Sequence, residues 1–326
     1  MIRTAEAVTV GHPDKVCDQI SDAILDACLA QDPYTRSGME VLGGHGVITV
    51  CGELTTKAYV NIRKIVQEVY KESGYDENIG VVVNVVEQSP EIKHGVDAEG
   101  AGDQGIMVGY ACNETKELLP LEVVVSRKLV QTMGKRDGKA QVTVKDGKVL
   151  GVLTSVCGKG YSKDKKFVAS VKKIVTPHLS KGTKLEKIWL SNPNGEWTIG
   201  GFTADTGLTG RKLAVDNYGP SVPLGGGCFS GKDATKVDRS AAYMARKIAV
   251  DYLRKRNAKE VYVHLAYAIG VAHPLMAVVT IDGAQEEVKG YDLRPQAIIR
   301  FLDLRKPQFR KTAEYGHFGN NFRWDR

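Results

Sequence analysis

The 326-residue sequence predicts an α+β protein made of two or three packed units of similar plan. Three observations predict it. Helix-period stretches alternate with strand-period stretches along the whole chain, no Gly/Ser-rich or proline-rich linker separates them, and 42% hydrophobic with 25% charged residues is enough to build full cores.

Val16, Ile20, Ile24 and Cys28 recur at helical spacing, and Pro13 suits a first helical turn, so a helix begins around "GHPDK" (11–15). The alternating "GVITVCGEL" (46–54) predicts a strand. Tyr59, Ile62, Val66 and Val69 predict a helix that stops at Gly74, and "IGVVVNVV" (79–86) predicts an apolar strand. Glycine dominates "EGAGDQGIMVGYACN" (99–113), where no element is placed. A helix over 120–133, a hairpin of "AQVTV" and "VLGVLTSV" about "KDGK", and a helix over 164–176 follow. From Gly200 a Gly- and Asp-rich loop region leads into a helix over 238–255, strands over 260–272 and 276–282, and a helix over 294–304.

Bulk composition narrows the function classes. The longest apolar runs fall far short of a membrane span, and the first fifteen residues hold no apolar signal region, so a soluble cytoplasmic protein without a membrane partner is expected. Six cysteines lie far apart with no C-x-x-C pair, which argues for free thiols over a zinc site or a disulfide framework. Forty-five Lys and Arg against 38 Asp and Glu give +7. With no long basic run, that excess suits a small anionic ligand better than nucleic acid.

"GGGCFSGKDATKVDRS" (225–240) fits the phosphate-loop spacing G-x-x-x-x-G-K at Gly226, Gly231 and Lys232, but Asp233 stands where a phosphate loop needs Ser or Thr to hold its magnesium. Three further loops combine glycine with charge: "GHPDK", "GAGDQG" (100–105) and "GLTGRK" (207–212). Glycine lets backbone approach a ligand closely, and neighbouring cations would meet an anionic group. Any one such loop could be a turn with solvated charges; four with matching chemistry favour a polyanion site. Taken alone, His12 reads as a hydrogen-bonding residue at a helix start and Cys228 as a small buried filler. Next to Lys232, Cys228 is also expected to favour its thiolate.

These four loops in this order, with "KVDRSAAY" (236–243), "YAIGVA" (267–272) and "YGHFG" (315–319), resemble the S-adenosylmethionine synthetase (methionine adenosyltransferase) family from end to end. The resemblance implies three similar α/β domains in a pseudo-threefold arrangement, here 1–98, 99–198 and 199–326. It implies synthesis of S-adenosylmethionine from ATP and L-methionine, with release of phosphate and pyrophosphate, two magnesium ions per site and a potassium ion. It further implies a homo-oligomer with active sites between subunits: His12, Lys139 and Arg211 would face Lys232, Glu53 and Gln88 across the interface. Carried over by position, His12, Lys139, Arg211 and Lys232 would be catalytic. His12, Asp103, Asp137, Lys139, Trp197, Asp205, Arg211, Lys212, Cys228, Lys232 and Ile269 would contact ATP, and Glu53, Gln88, Asp205 and Lys236 would hold methionine. Asp14 and Asp238 would bind magnesium and Glu40 potassium, with a solvated strand-end carboxylate as the alternative for Glu40. Magnesium on carboxylates would make the phosphate-loop match accidental.

The chain also departs from that family. The gate segment between Gln88 and Gly102 and the connection from Gln131 to Gln141 are short, Trp197 stands for Phe, Glu196 for Arg, and Cys228 for Ala. Two other readings stay open at this point: a shifted thioether range or triphosphate hydrolysis alone, and a nucleotide-binding relative without the reaction.

Overall fold

The structure, a computed structural model, describes residues 1–76, 78–88 and 100–326; the shortened gate segment lies almost wholly outside the described residues. Twelve strands among these form three four-stranded sheets. They are β1 (Ile2–Val8), β2 (Arg36–Gly44), β3 (Val47–Thr55), β4 (Gly80–Val86), β5 (Gly105–Cys112), β6 (Gly138–Lys145), β7 (Lys148–Val156), β8 (Trp189–Ser191), β9 (Gly207–Leu208), β10 (Glu260–Tyr267), β11 (Met276–Ile281) and β12 (Ala284–Glu287). The α-helices are α1 (Pro13–Leu29), α2 (Ile62–Glu72), α3 (Leu121–Gln131), α4 (Lys165–Val175), α5 (Leu213–Asp216), α6 (Val237–Arg256), α7 (Pro295–Leu302) and α8 (Thr312–Tyr315).

Each sheet buries one face under a pair of helices, as amphipathic elements require. The sheet β4-β3-β2-β9 packs Met39, Val41, Ile48 and Val50 against Val16, Ile20 and Ile24 of α1 and Val66 and Val69 of α2. The sheet β1-β6-β7-β8 closes on Leu129 and Val130 of α3 and Phe167 and Val171 of α4. The sheet β12-β11-β10-β5 closes on Ala245, Ile248 and Ala249 of α6 and Ile298 of α7. The α+β expectation of three units on one plan therefore holds.

The sheets exchange strands. β1, from 1–98, pairs antiparallel with β6 of the central sheet; β5, from 99–198, pairs antiparallel with β10; β9, from 199–326, pairs antiparallel with β2 of the first sheet. Each third of the chain thus lends one strand to the next, and the cycle closes.

The expected helices and most expected strands are present with ends shifted by a few residues. Three longer strands went unplaced in the sequence reading. β5 sits inside the glycine-dominated stretch because Gly109 lies against the α6 backbone at Ala245, where a Cβ would collide. β2 carries glycines at 38, 43 and 44 that mask its alternation, and Gly43 meets the Phe202 ring. β1 alternates but borders no turn signal. The strand expected over 260–272 ends at Tyr267, where a turn begins: the Val271 N–H donates to the Ala268 carbonyl at 3.1 Å and Gly270 takes φ 74°. No helix among the described residues is long and apolar enough to cross a membrane.

Candidate functional site

α1 organises the site through a ladder of four aspartates, 14, 18, 22 and 26, spaced at i, i+4 so that they share one helix face. Asp14 accepts the Leu208 N–H at 2.9 Å, Asp18 the Gly210 N–H at 2.8 Å and Asp22 the Gly231 N–H at 2.8 Å. Asp26 takes the N–H groups of Gln308, Phe309 and Arg310 at 2.9–3.0 Å. Two of the four glycine loops therefore dock along one helix, whose own N-terminus is formed by a third, "GHPDK". The fourth, "GAGDQG", joins from the side: Ala101 bridges Ile269, and Gly105 leaves no room for a side chain beside the Asp238 carboxylate.

Asp14, Asp18 and Asp22 are buried and Asp26 is half-buried, and desolvation pushes the Asp18, Asp22 and Asp26 carboxyls upward against their cationic and N–H partners. Lys15, wholly buried, bridges Asp18 at 3.2 Å and Asp216 at 2.5 Å. One ammonium serves two carboxylates there, and burial leaves Asp216 pushed up to about 6 with Lys15 opposing. Asp22 is answered by Arg239 in a two-pronged pair at 2.6 and 2.8 Å, both side chains fully buried. Removing one partner of such a pair costs about 3–5 kcal/mol, since it strands a charge in the interior.

At the head of α1, His12 is the N-cap, and its Nδ1 accepts the Asp14 N–H at 3.2 Å. Burial, then Lys212 and Lys139, press its value down to about 3, with Asp14 opposing. His12 is therefore neutral, and with Nδ1 accepting, its proton sits on Nε2. The sign follows: its contribution to stability is fully present above the unfolded value of about 6.5 and is lost as pH falls from there through about 3. In the ligand-free chain the His12 ring resonances, assigned by a His12→Asn comparison, should not titrate between about pH 5 and 8. A midpoint near 6.5 would overturn the neutral assignment.

Asp14 also pairs with Lys212 and lies 3.3 Å from Arg211; Lys212 and the Leu208 N–H hold its carboxyl below the usual range against burial. Lys139, exposed on β6, acts on both His12 and Asp137. Asp137 accepts the Gly201 N–H at 3.0 Å, and burial raises its carboxyl, Lys139 opposing and Asp205 adding. It lines a cavity of about 510 Å³ with Tyr75, Arg136, Cys157 and Ile199.

A second group forms around Lys232, whose ammonium meets Asp238 at 2.7 Å. Glu40 on β2 and Cys228 lie in its field. Burial raises the Glu40 carboxyl, with Lys232 opposing. The thiolate expectation for Cys228 is overturned: burial raises its thiol, Glu40, Asp18 and Asp238 add to the rise, and Lys232 alone opposes them. Cys228 packs against Gly210, which takes φ 80° and has no space for a Cβ there. It is thus a contact between two loops.

Lys236 turns elsewhere, to Asp233 at 2.7 Å. The same buried Asp233 carboxylate accepts the N–H groups of Ser37 at 2.8 Å and Thr235 at 2.9 Å. The residue that spoils the phosphate-loop pattern is a staple between β2 and the turn before α6. Asp103, Asp205 and Ile269 are exposed, and Glu53 is half-buried on β3. Gln88 Oε1 and Trp197 Nε1 are buried with no hydrogen-bond partner among the described residues, which leaves each free to meet a ligand group. No cluster of three His, Cys, Asp or Glu metal donors forms among those residues.

Sequence reasoning missed Asp18, Asp22, Asp26, Lys15, Asp216 and Arg239. The signal for the ladder was present as aspartate every fourth residue, on a helix read only for its apolar stripe.

Comparison with known proteins accounts for nearly the whole chain. Family models described as the N-terminal, central and C-terminal domains of S-adenosylmethionine synthetase match residues 1–94, 98–197 and 199–326. Among curated relatives, S-adenosylmethionine synthase of Pseudothermotoga lettingae is 42% identical over 99% of this chain and 95% of its own, in an alignment of 378 positions. That of Nitratiruptor sp. is 42% identical with the same coverage over 365 positions. Both alignments exceed the 326 residues of the chain, so the relatives carry segments it lacks. With all three segments matched in order and two relatives 42% identical over nearly all of it, the chain belongs to the S-adenosylmethionine synthetase family.

Proposed function

We infer that this chain is a methionine adenosyltransferase in which the methionine sulfur attacks C5′ of ATP, S-adenosylmethionine forms, and the displaced triphosphate is hydrolysed in place to phosphate and pyrophosphate. The three-segment family match across the full chain carries the reading. A thioether sulfur has no proton to lose, so the first step needs no general base, and its demand is to stabilise a leaving group that departs with several negative charges. Lys139, Arg211, Lys212 and Lys232 supply fixed cations for it. Neutral His12 presents an Nε2–H donor to the oxygen that leaves C5′.

The carboxylates of Asp14 and Asp238 suit magnesium. They are hard oxygen donors, largely buried, and each already faces an ammonium, so both are built to hold a cation. Magnesium takes one or two protein carboxylates and completes its shell with phosphate oxygens and water. When bound, the metal would spread the charge of the departing polyphosphate. Lys212 and Lys232, now paired with those aspartates, would then be available to phosphate oxygens. Glu40 offers potassium one carboxylate. Asp103, Asp137, Trp197, Cys228 and Ile269 frame the nucleotide, and Glu53, Gln88 and Lys236 serve methionine, with Asp205 reaching both substrates.

A homodimer with shared sites is part of this proposal, and an unpartnered sheet face supports it. On β4-β3-β2, Leu42, Val47, Val82 and Val86 are 40–60% exposed, on the side that also carries Glu40 and Glu53. A second chain covering that face would bring its own charged loops to these carboxylates. The place of action is the cytoplasm, where both substrates are made and used.

Incubation with ATP, methionine, magnesium and potassium, followed by product separation, tests the reading. S-adenosylmethionine with phosphate and pyrophosphate is expected; ADP with phosphate, or no turnover, would overturn it. Arg211→Leu should still form S-adenosylmethionine but accumulate triphosphate, because a guanidinium grips two phosphate oxygens at once. Equal loss of both steps would reduce Arg211 to a binding residue.

A further inference from the structure

We propose that Arg239 and Tyr243, neither of which contacts the candidate substrate groups, are positioning residues that set the place of the Lys232 ammonium. The inference rests on the reading of Lys232 as a polyphosphate ligand.

The peptide groups on both sides of the Lys232 Cα are fixed from one buried centre. The Gly231 N–H donates to Asp22 at 2.8 Å, and the Gly231 carbonyl accepts from the Ser37 hydroxyl at 2.8 Å and the Met39 N–H at 3.1 Å. Gly231 takes φ 82°, and a Cβ there would strike the Met39 carbonyl, so this approach is open to glycine alone. On the other side, Arg239 Nη1 donates to the Lys232 carbonyl at 2.9 Å.

Arg239 in turn has one available arrangement. Its Nη1 and Nη2 grip the two Asp22 oxygens at 2.6 and 2.8 Å, Nη2 also reaches the Thr312 hydroxyl at 3.1 Å, and Nε donates to the Tyr243 hydroxyl at 3.1 Å. Together with the bond to Lys232, all five guanidinium donors are used. The guanidinium carbon lies 4.2 Å from the centre of the Phe309 ring. The Tyr243 hydroxyl also shares a 2.7 Å hydrogen bond with His317 Nδ1, which carries the network on to the histidine ring. The "YGHFG" stretch, which the substrate chemistry left without a role, thereby ends a relay His317–Tyr243–Arg239–Lys232. Loosening the relay frees the backbone that carries Lys232, and small misplacements of a charge-stabilising group are expensive in a preorganised site.

The test is binding of inorganic triphosphate with magnesium, by calorimetry, to the full-length chain. Tyr243→Phe keeps the ring that stacks 3.9 Å from Trp324 and removes only the hydroxyl. It should weaken triphosphate binding about five- to tenfold, the effect of one hydrogen bond lost from a coupled network, while the chain still melts in one transition. In a Lys232→Met background the same change should cost less than about twofold, because partners in one network are not additive. An equal loss in both backgrounds, or no loss in the first, overturns the inference and leaves Tyr243 a packing residue. If Lys232→Met itself binds triphosphate as tightly as the unaltered chain, the role of Lys232 falls and the inference with it. Thr312→Val, which removes a different Arg239 partner, answers the same question should Tyr243→Phe fold poorly.

Discussion

Asp14→Asn and Asp238→Asn should each lower turnover by about two to three orders of magnitude, roughly the 2.7–4 kcal/mol that one preorganised charge-stabilising group supplies. Both variants should remain folded. The asparagine side-chain oxygen can still accept the Leu208 N–H that Asp14 now takes at 2.9 Å, and the packing of α1 and α6 is untouched. What disappears is the negative charge that faces Lys212 and Arg211 in one case and Lys232 in the other. An amide neither attracts magnesium strongly nor holds a lysine in reserve for the phosphates. Magnesium dependence measured at saturating ATP and methionine distinguishes the two losses. A metal ligand raises the magnesium requirement, whereas a residue that only parks a lysine lowers the rate at every magnesium concentration. Near-normal turnover of both variants at saturating magnesium would sink the metal assignment.

Two inactive chains should restore activity to each other. If each site is completed by two subunits, a Lys139→Ala chain and a Lys232→Ala chain are both dead alone, since every site in either parent dimer carries a lesion. In the hybrid dimer the twofold axis places both lesions in one site and leaves the other whole. Random mixing makes about half the dimers hybrids with one good site of two, so roughly a quarter of normal activity should return in the unseparated mixture and about half in the purified hybrid. Co-expression with two affinity tags, purification of the doubly tagged species and assay of its turnover read the result. A hybrid as inactive as its parents would show that each chain builds a complete pocket for itself.

The parts of the site visible in the sequence are those where local composition does the chemistry. "GHPDK" announces a helix N-terminus with a proline at its first turn, and "GLTGRK" announces cations on a glycine turn; both are what the structure contains. What stayed hidden depends on partners distant along the chain. Asp22 reads as one more polar residue on α1 until Arg239, 217 positions later, is folded against it. Asp233 looks like a failed magnesium ligand until Ser37 donates to it across the core. Cys228 looks activated by Lys232 when only its neighbours in sequence are counted, and burial with three carboxylates reverses that. β5 vanishes from a pattern reading because the glycine that weakens its strand signal is the one that lets α6 lie close.

The cyclic lending of strands has a consequence for how the chain comes into being. The first sheet lacks its outer strand until Gly207 and Leu208 have been synthesised, and the last sheet draws β5 from far upstream, so no prefix of the polypeptide that stops before Leu208 holds even two completed sheets. Contacts of such long sequence separation must close large loops before they return any stabilisation, which slows folding. Until then β5, which waits for β10, and β2, which waits for β9, each present an open edge of the kind that pairs with foreign strands. The three thirds are therefore bound to one fate: a cut at either boundary would leave two sheets short of a strand, and the fragments would seek their missing edges in each other.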